Sequence, residues 1–147
     1  MYCFYNADLN FTIEQKTAYI KLLLYLAKAD NHPDVIERQF IKKVMHRFNL
    51  PAEVLVNLHV PQILDDLVAV VQPIKGKGMA IDLLHTLRFA ASIDGEIAAE
   101  EVKIIHSIAN LLGIDDDILL VINNFVFDEM VFLGQAQNVL EAEDVRC

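Results

Sequence analysis

The chain has 147 residues, 54% of them apolar, and a net charge of −9 from 12 basic against 21 acidic side chains. That length suits one domain spanning 1–147, and the acidity argues against a nucleic-acid binder, which needs clustered Lys and Arg. No stretch comes near the ~18 consecutive apolar residues of a membrane span, and "MYCFYNADLNF" lacks the basic and apolar regions of a signal peptide. With only Cys3 and Cys147 and no CxxC pair, nothing points to an oxidising compartment, so a cytoplasmic location is expected.

Thr12-Ile13-Glu14-Gln15 reads as a capping box, opening a helix to about Ala29 with Ala18, Leu22, Tyr25, Leu26 and Ala29 on one face. Asn31-His32-Pro33 breaks it. Asp34-Val35-Ile36-Glu37 reads as a second box, starting a helix through Phe40, Ile41, Val44, Met45 and Phe48. Pro51 suits the first position of a short helix to about Leu58, and Pro61 that of another through Ile63, Leu64, Leu67, Val68 and Val71. "QPIKGKG" reads as a linker. From Met79 a helix runs through Leu83, Leu84, Leu87 and Ala91 to an Asp94-Gly95 turn; the next carries Ile104, Ile105, Ile108 and Leu112 and stops at Gly113. Asp115 caps a further helix. The tail from Phe125 to Leu140 reads as helical, although "FVFDEMVF" alternates well enough to suit a strand.

The chain repeats itself without gaps. Asp30 and Asp94 lie 64 residues apart, as do Glu37 and Glu101, and at the same offset Leu23 meets Leu87, Ala27 meets Ala91, Ile41 meets Ile105 and Leu55 meets Leu119. Phe40, Val44, Leu50 and Val54 meet Ile104, Ile108, Ile114 and Ile118. The expected fold is therefore all-α, a compact bundle of two pseudo-symmetric helix-hairpin repeats at about 18–72 and 82–136.

Each Asp is placed at a helix C-terminus, against the macrodipole, at a cost of a few tenths to ~1 kcal/mol. Each Glu falls in the first turn of the following helix, so the pair flanks one loop and its side chains can converge. Capping accounts for Glu37 through Asp34; Glu101 has Ala98 in place of a capping residue, and Asp94 suits an Asx turn before Gly95. The functional reading is a hard-cation site of Asp30, Glu37, Asp94 and Glu101, with Ca²⁺, Mg²⁺ or Mn²⁺ favoured over Zn²⁺ because the donors are carboxylates. It is no EF-hand: with Asp94 at loop position 5 and Glu101 at 12, Ala90 and Ser92 stand at positions 1 and 3.

The phrase A-x-x-D-G-x-(I/V)-x-x-x-E before an apolar helix, met once as "ASIDGEIAAEE" and once as "AKADNHPDVIE", resembles the TerB-like tellurite-resistance family, whose superfamily includes the N-terminal domain of DjlA-type co-chaperones. The resemblance spans about Ala18 to Leu140. It implies a helical bundle, an acidic metal-binding cluster carried here by Asp94, Glu101, Asp30 and Glu37, with Gly95 as the matching turn residue, and a stress-response role, with partners in membrane-associated complexes. Asn31-His32-Pro33 departs from the family turn, which carries glycine.

Asp82 and His85, one turn apart, form half of a di-iron carboxylate motif with no second half, and read as coincidence. No nucleophile elbow, HExxH, P-loop or GxGxxG occurs, so no enzyme and no organic cofactor are expected. The alternative to a cation-binding protein is a metal-independent interaction scaffold whose acidic surface meets a basic partner. Leu22, Leu23, Leu24 and Leu26, and again Phe125, Val126, Phe127, Val131, Phe132 and Leu133, exceed a single core stripe. Such helices are buried centrally or under a partner. A homodimer through the C-terminal segment is the sharper version of the second case.

Overall fold

The computed structural model describes residues 11–29, 35–51, 53–93 and 98–142, with backbone alone at positions 35–37, 56 and 135–142. Its helices are α1 (Ile13–Lys28), α2 (Val35–Arg47), α3 (Glu53–Val56), α4 (Leu67–Val70), α5 (Gly76–Ser92), α6 (Ala99–Leu111) and α7 (Asp116–Ala142), with a 3₁₀ turn at Leu64–Asp66. Among the described residues there is no strand, and no helix is long and apolar enough to cross a membrane.

Local chemistry sets several helix ends. The Thr12 hydroxyl accepts from the Gln15 backbone N–H at 3.1 Å, and the Gln15 side chain accepts from the Thr12 N–H at 2.9 Å, completing the box that opens α1. The Asp115 carboxylate accepts from the Ile118 N–H at 3.0 Å and starts α7. Asp34 lies outside the described residues, so only the start of α2 at Val35 tests that expectation.

α2 and α6 end in the same way. After α2, Asn49 stands at φ 57°, donates to the His46 carbonyl at 3.0 Å, and is followed by Leu50 donating to Met45 at 2.9 Å. After α6, Gly113 stands at φ 74°, donates to Asn110 at 3.1 Å, and Ile114 donates to Ala109 at 2.9 Å. Both are Schellman ends, with the apolar residue that follows, Leu50 or Ile114, buried. A Cβ on Gly113 would meet nothing within 4 Å, so Gly113→Ala should lose only the left-handed preference, about 1 kcal/mol. Chemical denaturation should show a lower midpoint at an unchanged m-value.

α5 is the centre of the bundle, packing against α1, α2, α6 and α7, while α1 also packs on α2 and α4. Leu83, Leu84 and Leu87 of α5 and Leu22, Leu23 and Leu26 of α1 are buried at this centre. Every apolar residue paired at the 64-residue offset lies in the core or packs on it.

Three segments differ from the sequence expectation. The "KGKG" stretch is no linker: Gly76, at φ +80°, turns the chain directly into α5, and Ile74 just before it is 8% exposed. Gly and Lys supply no apolar periodicity there, so the buried face from Ala80 onward carries the helix. The helix expected from Pro61 is instead a 3₁₀ turn followed by one turn of α4. The Asp66 carboxylate accepts from the Gln62 and Ile63 N–H groups at 3.1 and 3.4 Å, while Ile63, Leu64 and Val68 stay exposed and Leu67 and Val71 are buried. Finally, the C-terminal region is one continuous 27-residue helix, α7, with no strand at Phe125 to Phe132. Leu119, Ile122 and Val126, at helical spacing, hold it on the core.

Candidate functional site at the hairpin junction

Glu101 is the sequence-expected ligand that the structure describes in full. It occupies the third position of α6 and is 2% exposed. One carboxylate oxygen accepts from the Ala98 N–H at 3.2 Å, the half of the capping box that does not need a side chain at Ala98. The same side chain borders a cavity of about 10 Å³ with Leu23, Leu26 and Ala27 of α1, Ile41 of α2 and Ala90 of α5. That is about the volume of one water-sized probe. Glu101 thus stands where the N-terminal hairpin (α1, α2) meets α5 and α6.

The nearby cation is Arg88. Burial pushes its guanidinium below the usual arginine range, and the Glu101 carboxylate partly offsets this by favouring the charged form. Its Nε donates to the Asn123 side-chain oxygen at 3.1 Å, and its Nη1 donates to the Ser92 hydroxyl. Arg88 therefore links α5 to α7 as well as reaching the field of Glu101.

Of the other expected ligands, Asp30 and Asp94 lie outside the described residues, together with Gly95, and Glu37 is described only as backbone in the first turn of α2. Among the described residues, no group of three or more His, Cys, Asp or Glu is placed to hold a metal ion. No protein-family model, curated protein or solved structure matches this chain.

Two polar clusters, around Asp82 and around His85, take partners distant in sequence. Asp82, 7% exposed, accepts from the Tyr19 hydroxyl at 2.8 Å and from Arg47 at 3.4 Å, tying α5 to α1 and α2. Arg47 also lies over the Phe48 ring, 5.0 Å from its centroid, and Phe48 meets Tyr19 edge-on at 5.2 Å. His85 pairs with Glu129 at 2.5 Å and packs edge-on against Phe125. Asp82 and His85 are thus a turn apart, but they serve separate helix contacts. The available signal was a carboxylate set within the apolar face of α5 between Ala80 and Leu83, since a buried charge needs partners. His106 and Asp116, 3.4 Å apart, are both exposed, and such a surface pair adds little stability.

Proposed function

We propose that this chain is a non-enzymatic, TerB-like stress-response protein of the cytoplasm whose hairpin junction holds a divalent cation in an acidic pocket. Occupancy would tie the two Asp–Glu loops together and steady the surface that a protein partner, in a membrane-associated complex, reads. The carrying observation is Glu101, a carboxylate 2% exposed beside a cavity lined by α1, α2 and α5. The duplication adds support: α2 and α6 have the same length, bounds 64 residues apart and matching Schellman ends. That register puts Glu37 of α2 at the position equivalent to Glu101. The described donor set alone does not make a metal site, so the reading needs Asp30, Glu37 and Asp94 to join Glu101.

The test is a thermal melt of chelator-stripped protein with Ca²⁺, Mg²⁺, Mn²⁺ or Zn²⁺ added. A cation at ~100 times its Kd should add about 2.7 kcal/mol, a rise of roughly 5–10 °C for a domain of this size. Asp94→Asn and Glu101→Gln should each abolish the rise; a flat response of the unsubstituted protein would remove the cation pocket.

A second reading, a metal-independent interaction scaffold, is favoured by a different observation. On α7, Leu120, Val121, Phe125, Phe127, Val131 and Phe132 are 46–67% exposed. These side chains are apolar area left in water, the usual mark of a surface that meets another molecule.

A further inference from the structure

We propose that the exposed apolar side of α7, with the groove between α6 and α7, docks a cationic amphipathic helix of a partner protein. The inference deepens the interaction-scaffold reading and does not depend on the cation pocket.

The first ground is the arrangement of side chains around α7. Leu119, Ile122 and Val126 face the core. Leu120, Phe127 and Val131, spaced i, i+7, i+11, share one outer flank, and Val121, Phe125 and Phe132 share another. Between the flanks runs a ridge of Asp117, Asn124 and Asp128, all exposed and again spaced i, i+7, i+11. The run from Leu120 to Phe132 is about 18 Å long at 1.5 Å per residue, enough for three turns of a docking helix.

The second ground is a groove beside the first flank. It has a volume of about 280 Å³, and Val102, Ile105, Leu119 and Leu120 supply its apolar lining while Arg88 and Asn123 contribute polar groups. Val102 and Leu120 are 49% and 58% exposed, so an apolar anchor would find side chains on both walls. Helix-in-groove recognition uses such anchors at i, i+3, i+4 and i+7.

The third ground, charge, selects the occupant. The ridge of α7 carries Asp117 and Asp128, while Asp116 and Glu129 pair with His106 and His85; α7 has no Lys or Arg, and the chain has none between Lys103 and Arg146. An apolar surface with an acidic ridge is complementary to a helix with an apolar face and Lys or Arg beside it. A second copy laid on this face would set acidic ridge against acidic ridge between chains of net charge −9 each. An anionic membrane would meet the same repulsion.

The experiment uses the full chain, in chelator, with a fluorescein-labelled synthetic peptide of Leu and Lys patterned as an amphipathic helix. Anisotropy titration should give a Kd in the micromolar range, weakening as NaCl is raised from about 50 to 500 mM. The double substitution Leu120→Ala/Phe127→Ala should weaken binding at least about tenfold with an unchanged melting midpoint, both side chains being exposed. Any of five results would overturn the proposal: equal binding of a scrambled Leu/Lys peptide; equal binding of its Glu-for-Lys counterpart; undiminished binding by the double variant; a dimer in sedimentation velocity that the double variant dissociates; or capture by anionic phosphatidylserine vesicles that the double variant abolishes. Because chelator is present throughout, a failure of the cation pocket leaves this result standing, and the reverse also holds.

Discussion

Asp82→Ala is expected to lower stability by about 3–5 kcal/mol, the range for removing one member of a buried ion pair. For a chain of this size that lowers Tm by roughly 10 °C or more. The Asp82 carboxylate is a shared acceptor: the Tyr19 hydroxyl reaches it at 2.8 Å from α1 and the Arg47 guanidinium at 3.4 Å from α2. Tyr19 is fully buried, and the Arg47 side chain is 12% exposed, so water cannot easily replace what is lost. Tyr19→Phe removes a hydroxyl that reaches both Asp82 and the Met79 carbonyl, the latter at 3.2 Å, and should cost about 1.5–3 kcal/mol, the range for a hydrogen bond to a charged group. Asp82→Leu combined with Arg47→Met removes both charges together and should cost less than Asp82→Ala alone. Urea denaturation of the four proteins measures this, and a cost below ~1 kcal/mol for Asp82→Ala would mean the cluster holds nothing together.

The contrast between this cluster and the helix ends explains what the sequence reveals. The Thr12 box, the Gly113 stop and the Asp115 cap join residues within five positions of one another, so residue type and spacing are enough to read them. Asp82 finds its partners 63 and 35 residues away, and only packing α5 between α1 and α2 brings them together. The same holds at α5 itself, whose first turn is Gly-Lys-Gly and whose stability comes from side chains further along. At the candidate site the sequence singled out Glu101, yet its burial was not legible. That burial follows from the packing of α6 on α5 around the cavity that Leu23, Leu26 and Ile41 close from the N-terminal side. The 64-residue spacing of like residues is legible because it is linear in sequence; the geometry of Asp30 and Asp94 lies outside the described residues.

Neighbouring residues on α7 should respond oppositely to the same substitution. Val126→Asp places a carboxylate at a position that is 0% exposed, against the face of α5. An ionised group there has an effective desolvation penalty of several kcal/mol, and the valine's own burial is lost as well, about 1.5–3 kcal/mol. Together these rival the whole stability of an ordinary domain, 5–15 kcal/mol, so Val126→Asp should leave the chain largely unfolded by circular dichroism at 25 °C. Phe127→Asp, one residue on, replaces a side chain that is 66% exposed and should change stability by no more than ~0.5 kcal/mol. The comparison reads the rotation of α7 directly, because a turn of about 100° about the helix axis carries Phe127 into the buried place of Val126 and Val126 out to that of Phe125. If Phe127→Asp were the disruptive substitution and Val126→Asp the tolerated one, the helix would be rotated about its axis and its exposed apolar flank would be part of the core. Equal, large effects of both would mean that this face is covered in solution, and the melting midpoint of Phe127→Asp at several protein concentrations would show whether a second copy covers it. The expected pattern, collapse at Val126 beside indifference at Phe127, is what an apolar surface held open for another molecule requires.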